Sequence, residues 1–159
     1  MIKLLDIAKY FLQKGEIPPN GVLADFTMGN GNDTQWGTDV QIINSVVSGY
    51  SAGIYQPQRN SALTVSGDGT QINGYNGLVL KAGSATIYGG SIVGTGDANP
   101  PTSMLGSGYN DTGDGIYIET NYPHDISLEI YGGVIAAVDD EHGALALRVF
   151  EEDAENVSV

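Results

Sequence analysis

Thr86-Ile87-Tyr88-Gly89-Gly90-Ser91-Ile92 recurs further along the chain as Glu129-Ile130-Tyr131-Gly132-Gly133-Val134-Ile135. In each copy a short apolar alternation closes on a glycine pair, and a second alternation opens directly after it. Glycine tolerates the positive-φ corner that other residues resist, so the element reads as strand, corner, strand. A second unit, glycine followed by alternating apolar residues, appears at Gly53-Ile54-Tyr55, Gly77-Leu78-Val79-Leu80, Gly115-Ile116-Tyr117-Ile118 and Gly143-Ala144-Leu145-Ala146-Leu147. Those glycines stand 24, 38 and 28 residues apart, within the range of repeat architectures.

Between these markers lie Val40, Ile42, Val46, Ile54, Leu63-Thr64-Val65, Ala85-Thr86-Ile87 and Leu128-Glu129-Ile130. Most of the alternations are too short to form the arms of a stable hairpin sheet. They suit a coil of about three short strands whose alternate side chains point inward and stack on those of the next coil. From Gly37 to Val159 the sequence is therefore expected to be mainly β, a right-handed parallel β-helix or solenoid. The competing fold, a β-sandwich, would show hairpin signals, of which Asn76-Gly77 is the clearest. These residues resemble the β-helix repeats of bacterial cell-surface and carbohydrate-active proteins. The resemblance implies a surface or adhesion-type module, with glycans or cell-surface components as partners and a cell-surface or secreted location.

The long interval contains Asp97-Ala98-Asn99-Pro100-Pro101 through Thr112-Gly113-Asp114, read as a polar loop inserted over about 97–114. Asn156-Val157-Ser158-Val159 aligns with Ser127-Leu128-Glu129-Ile130 as the opening strand of a further coil. No cap follows it, so the sequence is expected to be a fragment that self-associates through uncapped ends.

Residues 1–36 follow another rule. Ile2, Leu5, Ala8, Phe11 and Leu12 fall at helical spacing, and Gly15 with Pro18-Pro19 ends that pattern. Next comes Gly21-Val22-Leu23-Ala24-Asp25-Phe26-Thr27-Met28-Gly29-Asn30-Gly31-Asn32-Asp33-Thr34, an apolar strand that runs into a glycine-rich turn. This string resembles the first motif of the rRNA-methylase-like class I methyltransferases. The resemblance implies S-adenosylmethionine held against Asp25, Gly29 and Gly31. It stops at Thr34, where the family's further βα units would follow. A single strand cannot form the crevice of a doubly wound sheet. The segment is expected to be an inactive methylase-like start that serves as an N-terminal cap of one helix and one strand.

Fifteen of the nineteen acids follow Trp36, against Arg59, Lys81 and Arg148, a net of −12. Such a surface repels phosphate backbones, which excludes nucleic acid as a partner of the β part. The absence of cysteine excludes disulfides and thiolate metal sites. No apolar stretch approaches the length of a membrane span, and no signal peptide is legible.

The acids supply the candidates for chemistry: Asp111 with Asp114, Asp139-Asp140-Glu141, and Glu151-Glu152-Asp153. Such groups bind Ca2+ or act as acid and base in polysaccharide lyases and hydrolases, the enzymatic alternative here. Against it, the three bases are scattered, and the acids are expected to be solvated turns and edge guards. His124 and His142 fall in polar turns. No catalytic or metal residue is assigned, and no cofactor is expected outside the alternatives. Tyr50, Tyr55, Tyr75, Tyr88, Tyr109, Tyr117, Tyr122 and Tyr131 either line one face as a sugar-stacking strip or are strand formers at half-exposed positions.

Overall fold

The computed structural model describes residues 37–96, 112–120, 124–139, 141, 143–150 and 157–159. The expected helix and strand of residues 1–36, with Asp25, Gly29 and Gly31, lie outside the described residues. So do Asp111, Asp140, His142, Glu151, Glu152, Asp153, Tyr109 and Tyr122.

Among the described residues are thirteen strands: β1 (Asp39–Ile43), β2 (Val46–Ser48), β3 (Ala52–Gln56), β4 (Ala62–Ser66), β5 (Gln71–Gly74), β6 (Asn76–Leu80), β7 (Gly83–Ile87), β8 (Ser91–Gly94), β9 (Ile116–Glu119), β10 (Ile126–Ile130), β11 (Val134–Ala137), β12 (Leu147–Phe150) and β13 (Val157–Ser158). Each pairs with the strand three places away. Three sheets result, ordered β1-β4-β7-β10-β13, β2-β5-β8-β11 and β3-β6-β9-β12. Every pairing is parallel. The protein is thus mainly β and built on parallel sheets, as the repeat implied. Three successive strands form a tier, and tiers stand about 4.8 Å apart. No hairpin joins the described strands, and Asn76-Gly77 opens the parallel strand β6.

Alternation creates the core. In the first sheet, Leu63, Val65, Ala85, Ile87 and Leu128 point inward and are buried. Ile72 and Ile92 do the same in the second sheet, and Ile54, Leu78, Leu80, Ile116 and Ile118 in the third. Register stacks like on like, as in Val47, Ile72, Ile92 and Ile135. Each fully buried aliphatic side chain contributes roughly 1.5–3 kcal/mol of transfer free energy.

The glycine pair is a corner. Gly90 and Gly133 have φ of 89° and 101°, and each turns the chain from the first sheet into the second. The other glycine unit has a different cause. Gly53, Gly77 and Gly115 lie opposite one another, since Ile54, Leu78 and Ile116 are in register. A methyl on Gly77 would meet the Gly115 carbonyl at 2.5 Å and Ile92 Cγ2 at 2.8 Å. On Gly115 it would meet the Ala146 carbonyl at 2.6 Å and Ile135 Cγ2 at 2.9 Å. Glycine is needed there because the next tier's backbone and isoleucine occupy the space.

That register corrects the sequence alignment at one place. Leu147, not Ala144, pairs with Ile116, so Ala146 is the counterpart of Gly115. Gly143 lies in an exposed turn, where an added methyl would touch nothing within 4 Å.

Candidate functional site

The described chemistry falls into two sets: one sealed between tiers, the other displayed on a face. The first sealed group lies where the chain turns from the second sheet into the third. A backbone N–H at such a corner lacks a strand partner and needs another acceptor. Asn76 Oδ1 accepts from the Asp114 N–H at 3.1 Å, and Asp114 Oδ1 accepts from the Leu145 N–H at 2.6 Å. Asn76 and Asp114 occupy matching positions, so side chains of one tier cap the next.

Asp114 is 0% exposed. Its carboxylate also accepts from the Thr112 hydroxyl and from two Arg148 nitrogens, Nε at 2.6 Å and Nη2 at 3.2 Å. Arg148 Nη2 further donates to the Gly143 carbonyl at 2.6 Å. One expectation is corrected here: Asp114 is not a solvated acid but a buried one, and Arg148 reaches back to pair with it. With both oxygens engaged by four donor groups, this carboxylate is a structural clamp with no lone pair directed at a substrate.

Lys81, directly after β6, and Glu119, on β9, are a buried pair of opposite charges. The Leu80–Ile118 register brings them opposite each other on the outer side of the third sheet. The Tyr117 hydroxyl donates to Glu119 Oε2 at 3.0 Å. Burial pushes the Lys81 ammonium below its ordinary 10.5, and the Glu119 carboxylate pulls it back up. Val79 and Tyr117 are fully buried on that side, so both surfaces of β6 and β9 are covered.

The displayed set lies on the outer side of the first sheet. Alternation turns three columns outward. Ala62, Ser84, Ser127 and Ser158 form one, and Gln41, Thr64, Thr86 and Glu129 the next. The third continues from Ile43 and Ser66 to Tyr88 and Tyr131 at the corner. Beside the serine column runs an open groove of about 580 Å³, lined by Arg59, Asn60, Ser84, Asp125, Ser127 and Ser158 among others. At the opposite edge, Tyr88 and Tyr131 stack with ring centroids 5.2 Å apart and planes 9° from parallel. Both rings face solvent, 57% and 67% exposed. The Tyr131 hydroxyl donates to Glu129 Oε2 at 3.4 Å, and the Glu129 charge raises the phenol above its ordinary 10.0.

Of the two readings of the tyrosines, the strip is only two rings long within the described residues. Tyr117 is buried in the third sheet, and Tyr55 packs partly buried beside it. Tyr75 lies over Gly96 at another corner, and Tyr50 is fully exposed. Among the expected acids, Asp139 and Glu141 lie near the turn after β11, where the Asp139 carbonyl accepts the Ala144 N–H at 3.2 Å. Among the described residues no group of three or more histidines and acids is arranged to hold a metal ion.

Reading the sequence missed Glu119, Gln56 and the serine column. Gln56 had a legible signal, a polar residue at an inward position after Ile54. It is buried, and its amide donates to the carbonyls of Ser84 at 2.9 Å and Ser61 at 3.1 Å. The chain matches no family model, no curated protein and no solved structure.

Proposed function

We propose that the three-sheet repeat winds as a right-handed parallel β-helix and serves as a non-enzymatic surface module that binds glycans. The observation that carries this reading is the outer face of the first sheet. An open, hydroxyl-lined groove runs along one edge, and two solvent-facing stacked tyrosines stand at the other. Sugars present hydroxyls that exchange hydrogen bonds with serine, threonine and glutamine, and C–H surfaces that pack on aromatic rings. Strand pairing holds these groups at fixed spacing, so little ordering cost falls on binding. Asp114, an acid considered for chemistry, has its carboxylate saturated by Thr112, Leu145 and Arg148, which supports a binding role over a catalytic one.

A glycan array probed with the whole chain, the Tyr88→Ala/Tyr131→Ala double variant and Ser127→Trp tests the reading. Binding by the parent is expected, with loss in the double variant and in the groove-filling variant. Equal binding by all three proteins, or none by the parent, would overturn it.

A further inference from the structure

We infer that the Tyr88–Tyr131–Glu129 corner selects glycans bearing protonated amines, such as oligomers of glucosamine, over their N-acetylated and uronic-acid counterparts. The inference rests on the glycan reading and deepens it. Three observations carry it. The first is the stacked pair, both rings of which are more than half exposed to solvent; a cation placed over a tyrosine face is attracted by its π-electrons. The second is Glu129, next in line on the outward side of β10, with a carboxylate oxygen 3.4 Å from the Tyr131 hydroxyl. An ammonium over the face of that ring, toward its hydroxyl end, meets both the π-electrons and a full negative charge. The upward shift of the Tyr131 phenol, caused first by Glu129, registers that field at the ring.

The third is the charge of the whole face. Asp39 and Glu129 stand on its strands, Asp68 in the corner before β5, and Asp125 at the groove; Arg59 is the base among its described groups. A uronate would meet repulsion from four carboxylates, whereas an N-acetyl sugar would keep the stacking and lose the charge attraction.

Isothermal titration of the whole chain with glucosamine, N-acetylglucosamine and galacturonate oligomers of equal length tests the inference. The amine oligomer is expected to bind about tenfold more tightly than the N-acetylated one, the factor set by one partly solvated cation–π and ion-pair contact. The uronate oligomer is expected not to bind. Glu129→Gln should remove the preference and keep the weaker binding, Tyr131→Ala should lose both, and Glu141→Gln, an exposed acid off this face, should change neither. Equal binding of amine and N-acetyl oligomers would overturn the selectivity and leave the glycan reading standing. Equal loss of preference in Glu129→Gln and Glu141→Gln would reduce it to bulk charge. Binding of no oligomer would overturn the glycan reading with it.

Discussion

Arg148 meets Asp114 through two hydrogen bonds, Nε to Oδ2 at 2.6 Å and Nη2 to Oδ1 at 3.2 Å, across the step from β9 to β12. The carboxylate is sealed and the guanidinium partly exposed. Removing the arginine strands a buried charge, which costs far more than the pair itself contributes. Arg148→Ala is expected to destabilise the protein by about 3 kcal/mol. Asp114→Asn keeps an acceptor for the Leu145 N–H and should cost about half as much. Urea unfolding measures both; equal costs would show that charge plays no part in the clamp.

Gly77→Ala is expected to cost about 3 kcal/mol, because its methyl would collide with the Gly115 carbonyl and Ile92, neither of which can withdraw from the stack. Gly143→Ala meets no atom, and only its φ of 100° resists. It should cost about 1 kcal/mol. Thermal melts of the two variants distinguish crowding from conformation, and the opposite order would refute the assigned register.

Lys81 gives the fold a pH dependence of definite sign. Its ammonium is held below 10.5 in the folded state by burial, with Glu119 opposing. Below the folded value both states keep the proton, and the burial penalty is fully present. Above it the folded chain releases the proton while the unfolded chain retains it until 10.5. This group therefore makes stability rise with pH between those two values. Lys81→Met should abolish that rise. Glu119→Gln should extend it to lower pH, since the group that supports the charged form is gone. Denaturation midpoints followed from neutral to alkaline pH check both; an unchanged slope in Lys81→Met would assign the effect elsewhere.

Tyr131 offers a spectroscopic measurement at the displayed corner. Glu129 raises its phenol, so Glu129→Gln should bring its ionisation down toward 10.0. Alkaline difference absorbance, with Tyr131→Phe as the reference that lacks this phenol, isolates the transition that moves. A transition unaffected by Glu129→Gln would mean that the carboxylate field does not reach the ring.

The residues that alternate were the legible part. Leu63, Val65, Leu78, Leu80, Ile116 and Ile118 declare an inward side by themselves, and the glycine pairs declare a corner, because both signals are local. Register across tiers was not legible where the signal repeats itself. Gly143-Ala144-Leu145-Ala146-Leu147 alternates throughout, so period alone cannot say which residue faces Ile116. The strand pairing shows that Leu147 faces Ile116, with Arg148 bonded to the Gly143 carbonyl beside it. The buried role of Asp114 was hidden for a related reason. Its neighbours are turn formers that suggest solvent, while its partners, Leu145 and Arg148, lie more than thirty positions away. The serine column was invisible because Ser84, Ser127 and Ser158 are unremarkable singly and form a surface only when strands align them.

Uniformly parallel pairing has a consequence for symmetry. The strands β1, β2 and β3 edge one end of the sheets, and β13, β11 and β12 the other. The side-chain caps share that direction, since Asn76 accepts from the Asp114 N–H and Asp114 from the Leu145 N–H. The two ends are therefore unlike surfaces. A contact between copies that continued the parallel pattern would join opposite ends, a heterologous contact that repeats without closing. Such contacts would lead to open-ended filaments and not to a two-fold dimer.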